Sequence, residues 1–278
     1  MELCQEKMDR LKKKELEILQ AFIAICDSLN LRYYLLGGTL LGAVRHHGFI
    51  PWDDDIDVAM PRSDYERFMI EAQSLLPDKY FVQNIYSEKD YRANFAKIRD
   101  SSTTFVETAV RHCRINHGIY IDIFPLDYVP RSPQLKRWLF FKEKVLFRRI
   151  ALGFYLPNVK KTLKFKVANI LLKLILPFSI RNVLLIREKM IKSIKDGNEY
   201  VNYCGAWKYK EIAPVEWFGE GAVLEFEGMK VTGPLEFDKW LRQVYGDYME
   251  LPPEDRRVPH HYADVIDAEK PYTDYMNN

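Results

Sequence analysis

Cysteine is scarce in this sequence, and no two cysteines form a C-x-x-C pair. The four cysteines of the 278-residue chain lie far apart, at Cys4, Cys26, Cys113 and Cys204. A disulfide framework and a cysteine-based zinc site are therefore not indicated, and reduced thiols are expected. His112, Cys113 and His117 have a loosely metal-like spacing, but an isolated group of this kind is more often structural than a zinc site.

Long uncharged hydrophobic runs are absent as well. The N-terminus, MELCQEKMDRLKKKELEILQAF, begins with charged residues and shows no small-residue cleavage site, so we expect no secretory signal and a cytoplasmic protein. The most apolar segment, residues 131–195, has uncharged runs well short of the roughly 20 residues that a membrane span needs. Lys173 and Pro177 interrupt it further, so we expect this segment to lie on a surface or pack against one without crossing a membrane.

The same segment almost lacks negative charge. It holds 17 of the 41 basic residues but only Glu143 and Glu188 of the 39 acidic ones, so it carries +15 and the rest of the chain −13. The acidic body and the basic segment are expected to meet different partners. Because Leu, Ile, Phe and Trp138 lie between the basic residues, an anionic membrane surface is favoured over a partner-binding helical bundle and over nucleic acid.

Short strand and helix patterns alternate up to about residue 130, which is typical of an α/β core. An amphipathic helix is predicted in the first thirty residues and further helices in TLLGAVRHHG, with Thr39 as N-cap, and RSDYERFMIEAQSLLP, where Ser63 and Glu66 form a capping box. The predicted strands are LRYYLLGG, DIDVAM, YFVQNIY, NFAKIRD, TTFVET and GIYIDIF. Later, AVLEFEGMKVTGP predicts a hairpin turning at Glu227 and Gly228, followed by a helix ended by Gly246.

The stretch PWDDDIDVAM places four carboxylates within five positions. Such charges repel one another, and a half-buried strand holds them only when something positive lies among them. Asp53, Asp55 and Asp57 share one face if the extended backbone reaches that far back. Asp55 and Asp57 then suit a shared divalent cation, and oxygen ligands favour Mg²⁺ or Mn²⁺.

Two further elements fit the same chemistry. In GIYIDIFPLD, Asp122 lies on the strand face opposite three isoleucines, and a carboxylate there needs a partner. If the two strands are neighbours, that partner is the metal held by Asp55 and Asp57. Upstream, Gly37 and Gly38 end a strand and, with Thr39, open a helix whose free N–H groups suit an anion.

Basic side chains lie near these carboxylates in the sequence. Lys97 and Arg99 share a strand face and are candidate clamps for phosphate oxygens, although they also fit ordinary surface positions. Arg45 lies at the end of the helix that the two glycines open, where it also fits a partner of the helix dipole.

These motifs together resemble the LicD family of the nucleotidyltransferase fold, which includes bacterial phosphocholine transferases and the animal relatives fukutin and fukutin-related protein. The resemblance runs through LLGGTLLGAVRHHGFIPWDDDIDVAMPRSDYERF, KIRDSSTTFVE, YIDIFPLD and YGDYMELPPEDRRVPHH. It implies an α/β (α+β) fold with a nucleotidyltransferase-type mixed sheet. Asp55, Asp57 and Asp122 match the family's metal-binding carboxylates, and Asp53 matches an acidic position. His260 and His261 are implied as substrate contacts. The zinc-binding cysteine loop of the animal relatives has no counterpart.

We therefore predict a nucleotidyltransferase-like catalytic core over residues 1–130, a basic helical insertion over 131–200 and a C-terminal portion over 201–278 that completes the active site. The resemblance implies metal-dependent transfer of phosphocholine from CDP-choline to a sugar hydroxyl of a cell-surface glycan or glycolipid precursor, at the inner face of the cell membrane. One alternative is transfer of another CDP-activated group, such as an alditol phosphate. Another is an RNA-directed nucleotidyltransferase whose basic segment holds nucleic acid.

Overall fold

The computed structural model describes residues 5–154, 163–258 and 262–276. The strands are β1 (Tyr34–Leu35), β2 (Asp57–Pro61), β3 (Tyr80–Gln83), β4 (Ala96–Asp100), β5 (Thr104–Glu107), β6 (Ile119–Tyr128), β7 (Glu199–Val201), β8 (Ala213–Pro214), β9 (Ala222–Phe226), β10 (Met229–Gly233) and β11 (Ala263–Asp267). The α-helices are α1 (Gln5–Leu29), α2 (Gly37–His46), α3 (Arg62–Glu71), α4 (Pro133–Ala151), α5 (Leu163–Ile175), α6 (Ile180–Lys192), α7 (Phe237–Tyr245) and α8 (Thr273–Met276).

A mixed sheet in the order β1-β2-β6-β4-β3 forms the centre of the fold. β2 and β6 are parallel, whereas β1 pairs antiparallel with β2, β4 with β6 and β3 with β4. β7 continues the sheet from the far end of β6 and pairs in turn with β8. Two separate pairs, β9 with β10 and β5 with β11, complete the strands. This mixture of helices and strands confirms the predicted α/β (α+β) class.

The helices α1 and α3 supply much of the core beneath the sheet. α1 packs against β4 and β6, and α3 packs against β2 and β6. Ile18 and Phe22 of α1 are fully buried, and the Phe22 ring lies 5.2 Å from the Phe68 ring of α3. The amphipathic N-terminal helix predicted from the sequence is therefore confirmed, and its apolar stripe is the face that meets the sheet.

Two predicted helix caps are wrong. α2 begins at Gly37 after Leu36, which makes no side-chain cap, and the Thr39 hydroxyl instead accepts a hydrogen bond from the Asp57 backbone N–H at 2.8 Å. α3 begins at Arg62, one residue before Ser63, so Ser63 caps nothing and the capping box with Glu66 is absent. In α2, the side chain that was predicted to cap the helix is thus used by a contact with another part of the chain.

Other local predictions are confirmed. The hairpin of β9 and β10 turns at Glu227 and Gly228, which have φ of 49° and 75°, and Phe226 pairs with Met229. Gly246, with φ of 76°, ends α7. The strand around the acidic stretch is shorter than expected, because β2 begins only at Asp57 and residues 53–56 precede it as irregular chain.

The basic segment forms α4, α5 and α6. Buried ion pairs hold α6 to its surroundings: Arg187 donates to Glu143 of α4 at 2.9 Å, and Arg62 at the start of α3 bridges Glu188 and Asp127. Among the described residues, no single helix is long and apolar enough to cross a membrane. The bent pair Lys166–Ile175 and Ile180–Lys192, which meet at 67°, passes that test only together, by length and composition.

Candidate active site

Three side chains from three adjacent strands meet at the centre of the sheet. Asp57 of β2 and Lys97 of β4 are each the register partner of Asp122 in β6. Because paired residues in neighbouring strands project from the same face, the three side chains lie side by side. The Lys97 ammonium lies 2.8 Å from Asp122 Oδ1. The two acidic strands are thus neighbours, as the sequence interpretation required.

The Asp57 carboxyl lies in a strongly negative environment. Burial raises its pKa well above the ordinary value, and the charges of Asp55, Asp122 and Asp53 raise it further, while Lys97 opposes them. Each further negative charge in a poorly solvated site disfavours the ionised form of its neighbours. An additional positive charge at this position would therefore favour the ionised form of Asp57.

The acidic loop before β2 offers oxygen ligands close together. Asp53, Asp54 and Asp55 each place a carboxylate oxygen within 4.8 Å of the others, and Asp53 and Asp54 are buried. Carboxylate oxygens of this kind are the ligands that Mg²⁺ and Mn²⁺ prefer. The loop therefore brings Asp53 and Asp55 together, as predicted, although the loop conformation and not strand alternation does so.

Glu15 of α1 is a further carboxyl at this loop. It is 2% exposed, and within the described part of the chain its Oε2 has no hydrogen-bond partner. Burial raises the pKa of Glu15 well above its usual range, with further increases from Asp55, Asp54 and Asp53. A buried carboxyl facing three others fits a site that receives a cation. Sequence reasoning missed Glu15, although its position on the apolar stripe of α1, four residues after Leu11, was a usable signal.

The glycines at the start of α2 allow the chain to approach these carboxylates. A Cβ on Gly37, whose φ is +58°, would lie 2.9 Å from Asp57 Oδ2, and a Cβ on Gly38 would lie 2.5 Å from Asp53 Oδ2. Thr39 holds the Asp57 backbone from the same turn. The three predicted residues therefore lie directly against the acidic cluster, with the positive end of the helix toward it.

The other predicted basic residues make protein contacts. Arg99 is fully buried, and its guanidinium donates to Glu107 at 2.6 Å, to Gln83 at 2.7 Å and to the Gly118 carbonyl at 2.8 Å. Arg99 therefore holds Glu107 in place and is not open to clamp a phosphate. Glu107 Oε1 also lies 3.5 Å from Lys97 Nζ. Lys97 is the cation that lies against Asp122.

Arg45 connects the end of α2 to the C-terminal portion. Its guanidinium donates to the Tyr248 carbonyl at 2.7 Å. The C-terminal portion also returns to the core through β11, which pairs with β5. His260 and His261 lie outside the described residues.

The C-terminal portion holds an aromatic pair that sequence reasoning missed. The rings of Trp207 and Tyr245 are 5.4 Å apart and nearly perpendicular. Burial raises the pKa of Tyr245, and the negative charges of Asp57 and Glu211 raise it further. With aromatic residues at 14% of the chain, the sequence offers too many candidates to single out this pair.

The isolated His and Cys group has a structural arrangement. His117 and Cys113 are buried, and His117 Nε2 lies 3.1 Å from the Cys113 carbonyl oxygen. Within the described chain, Asp53, Asp54 and Asp55 are the only group of three or more potential ligands close enough to hold a metal ion. Cys26, Cys113 and Cys204 are free.

Comparison with known proteins agrees with this geometry. Residues 30–153 match the family described as LicD/FKTN/FKRP, nucleotidyltransferase domain. The chain is 34% identical over 261 residues to the lipopolysaccharide cholinephosphotransferase LicD of Haemophilus influenzae, covering 90% of this chain and 94% of that protein. It is 28% identical over 137 residues to the human ribitol 5-phosphate transferase FKRP, covering 47% of this chain and 24% of that protein. Residues 30–153, which match the family, include Asp53, Asp55, Asp57 and Asp122.

Proposed function

The chain belongs to the LicD family of phosphotransferases, and from that premise we propose that it transfers phosphocholine from CDP-choline to a sugar hydroxyl of a cell-surface glycan or glycolipid precursor. The observation that carries the proposal is the meeting of Asp57 and Asp122 on adjacent strands, beside Asp53 and Asp55, in a chain similar over most of its length to a lipopolysaccharide cholinephosphotransferase. The acceptor is proposed to be a precursor of lipopolysaccharide, teichoic acid or capsule, handled at the cytoplasmic face of the cell membrane.

The carboxylate oxygens of the site are suitable ligands for a divalent cation. Asp55, Asp57 and Asp122 are proposed to hold Mg²⁺ or Mn²⁺. Asp57 and Asp122 are register partners, and Asp55 also belongs to the group of Asp53, Asp54 and Asp55, whose oxygens lie within 4.8 Å of one another, so the ion would have to draw the two sets together. The buried Glu15 Oε2, which has no hydrogen-bond partner within the described residues, supports a cation at this loop. When bound, the cation would neutralise the diphosphate and stabilise the leaving CMP. Gly37 and Gly38 let the start of α2 lie close to this charge.

Side chains of the protein are proposed to carry out the proton transfer and to orient the reacting groups. Asp122 accepts the proton of the acceptor hydroxyl, whose oxygen forms a bond to the choline-side phosphorus while the bond from that phosphorus to the CMP oxygen breaks. Lys97 orients the Asp122 carboxylate across the strand pair and carries a positive charge next to the transferred phosphoryl group. Arg99 acts through Glu107, which it holds in place.

The donor head group is proposed to lie against Trp207 and Tyr245. A trimethylammonium group favours aromatic ring faces, and the Lys210 ammonium already lies over the Trp207 ring at 5.2 Å. The Glu211 carboxylate, which accepts a hydrogen bond from the Trp207 backbone N–H at 2.9 Å, adds negative charge beside the ring. In this arrangement choline takes the place of the Lys210 ammonium.

A second donor class is supported by the similarity to ribitol 5-phosphate transferase, which favours an alditol phosphate as the transferred group. The experiment that separates the two candidates is a panel of CDP-choline, CDP-ribitol and CDP-glycerol with Mg²⁺ or Mn²⁺, scored by release of CMP. Release from CDP-choline is the expected result. Release from CDP-ribitol or CDP-glycerol alone would keep the mechanism and change the donor. Turnover of ATP or CTP with RNA, and of no CDP donor, would overturn the proposal in favour of an RNA-directed enzyme.

A further inference from the structure

An apolar surface on the basic segment has no partner within the described residues. In α4, Leu135, Trp138 and Phe141 are 46%, 52% and 59% exposed, and their spacing places them on one side of the helix. The Trp138 and Phe141 rings stack at 5.9 Å, with 12° between their planes. We call these three residues together with the exposed apolar residues of α5 the α4–α5 surface; the α5 members are Val167, Ile170, Leu171, Leu174 and Ile175.

Trp138 and Phe141 lie on a different side of α4 from the buried residues of that helix, and Leu135 lies at the edge between the two sides. Leu146 and Ile150 of α4 pack with Val183 and Leu184 of α6 in a buried cluster. Leu139 packs in a second cluster. The core contacts of α4 are thus satisfied on its other side, and packing within the described chain does not explain why large apolar side chains remain on the α4–α5 surface.

Every exposed charge among the described residues of 131–195 is positive, and just beyond this segment the exposed Asp196 lies 3.3 Å from Arg131. The two acidic residues of the segment, Glu143 and Glu188, are buried in ion pairs with Arg187 and Arg62. The exposed charged residues of the described parts of 131–195 are Arg131, Arg137, Lys142, Lys144, Arg148, Lys166, Lys173, Lys189 and Lys195. The Lys142 ammonium lies 4.7 Å from the Trp138 ring centroid. Basic side chains therefore flank the exposed aromatic and aliphatic groups.

We propose that the α4–α5 surface docks the protein on an anionic lipid bilayer. Amphipathic helices that carry Trp, Phe and Leu on one side and Lys or Arg beside them bind in the plane of the membrane interface. Anionic headgroups attract the flanking cations, and the apolar side chains enter the boundary with the acyl chains. Nucleic acid would use the charges but would leave the Leu and Ile side chains of α5 in water. Docking needs no assumption about the reaction, so its outcome is independent of the catalytic proposal.

The test uses the full chain and sedimentation with vesicles of phosphatidylcholine alone or mixed with phosphatidylglycerol. Two paired variants remove apolar contacts from each helix in turn, Trp138→Ser with Phe141→Ser in α4 and Leu174→Ser with Ile175→Ser in α5. Each pair is expected to weaken binding to the anionic vesicles by about tenfold or more, because it withdraws two large apolar side chains from the interface. Ile70→Ser, at an 81% exposed position of α3 outside the segment, is the matched control and is expected to bind as the wild type does.

Three results would overturn the proposal. In the first, the wild type binds neutral and anionic vesicles equally, and in the second it binds neither. In the third, both variant pairs bind as the wild type does and unfold at the same temperature as the wild type. High salt is expected to release only part of the wild-type protein, since screening weakens charge attraction more than apolar contact. Complete release by salt, together with tighter binding to a homopolymeric RNA than to vesicles, would assign the surface to nucleic acid instead. If one variant pair fails to fold, the other pair and the lipid dependence of the wild type still decide the question.

Discussion

The Lys97 ammonium lies 2.8 Å from Asp122 Oδ1 and 3.3 Å from the centre of the Tyr120 ring. Both charged side chains are nearly buried, at 6% and 8% exposure. A lysine held this way supplies one positive charge to a cluster that contains several carboxylates, and it fixes the direction of the Asp122 side chain. The pair is therefore expected both to stabilise the sheet and to orient Asp122 for its proposed role in the reaction.

Lys97→Met is expected to destabilise the protein by about 3–5 kcal/mol in the absence of metal, because the buried Asp122 carboxylate then loses the positive charge that lies 2.8 Å from it. Urea unfolding measures the change. Lys192→Met is the control, since its ion pair with Glu66 is about one-third exposed on both sides and is expected to contribute no more than about 1 kcal/mol. Equal losses in the two variants would show that the Lys97–Asp122 pair has no special role in the fold.

Asp55→Asn, Asp57→Asn and Asp122→Asn are each expected to abolish turnover, because each removes a negative charge from the proposed metal site. The fold should stay intact in the first two, whereas Asp122→Asn is expected to be less stable as well, because the buried Lys97 ammonium loses the carboxylate 2.8 Å from it. In metal-free buffer, Asp57→Asn is expected to unfold at or above the wild-type temperature, since it relieves repulsion among buried carboxylates. Added Mg²⁺ should stabilise the wild type more than this variant. Asp196→Asn, at an 80% exposed position, is the control. Turnover within about tenfold of the wild type in any of the three would contradict their assignment.

Gly37→Ala is expected to lower both stability and turnover, whereas Gly228→Ala is expected to lower stability alone. Both glycines have positive φ, so each substitution costs about 1–2 kcal/mol of backbone energy. Only at Gly37 does the new methyl group meet a carboxylate oxygen, Asp57 Oδ2, whereas nothing lies within 4 Å of a Cβ on Gly228. Turnover measured beside thermal unfolding separates the two effects. Parallel losses of turnover in both variants would argue against a role for the Gly37 contact.

Features set by neighbouring residues could be predicted from the sequence. The alternation of Ile119, Ile121 and Ile123 with Asp122 defined both faces of β6, and all three isoleucines are fully buried. The turn at Glu227 and Gly228 followed from local backbone preferences in the same way. The pairing of β2 with β6 rested on the assumption that two acidic strands share a cation, and the structure makes these strands neighbours.

Features that depend on contacts between distant parts of the chain could not be predicted from the sequence. Thr39 fits a helix cap by residue type, but its hydroxyl finds the Asp57 backbone N–H from another part of the chain. Strand alternation places Lys97 and Arg99 on one face, yet it does not show that Arg99 is enclosed by contacts with Gln83, Gly118 and Glu107. The division of the chain at residues 130 and 200 stays a prediction.

Trp207→Ala is expected to raise KM for CDP-choline by about tenfold, because it removes a ring face from the proposed trimethylammonium contact, which is worth about 1–2 kcal/mol. The KM for CDP-glycerol, which lacks a positive charge in its head group, is expected to change little. Trp138→Ala provides a matched control, since Trp138 lies in the basic segment, away from the catalytic strands. A uniform rise in KM for both donors would point to a general loss of the site and not to selection of choline.

His117→Asn is expected to make the protein less sensitive to acid. Burial lowers the pKa of His117 and the charge of Arg99 lowers it further, although the Cys113 carbonyl opposes them. The unfolded chain, where the histidine pKa is about 6.5, therefore binds a proton more readily than the folded protein. The stability that neutral His117 contributes is present above this value and is lost as the pH falls below it.

The comparison that isolates His117 is the change in unfolding free energy between neutral and mildly acidic pH, measured in urea. The loss on acidification should be smaller in His117→Asn than in the wild type, whatever the variant's stability at neutral pH. His112→Asn, at an exposed position, is the control for replacing a histidine by asparagine, and it is measured in the same way. Carboxyl groups titrate in all three proteins and contribute alike, so the difference between the slopes reports His117. An unchanged slope in His117→Asn would show that this histidine is not held neutral by the fold.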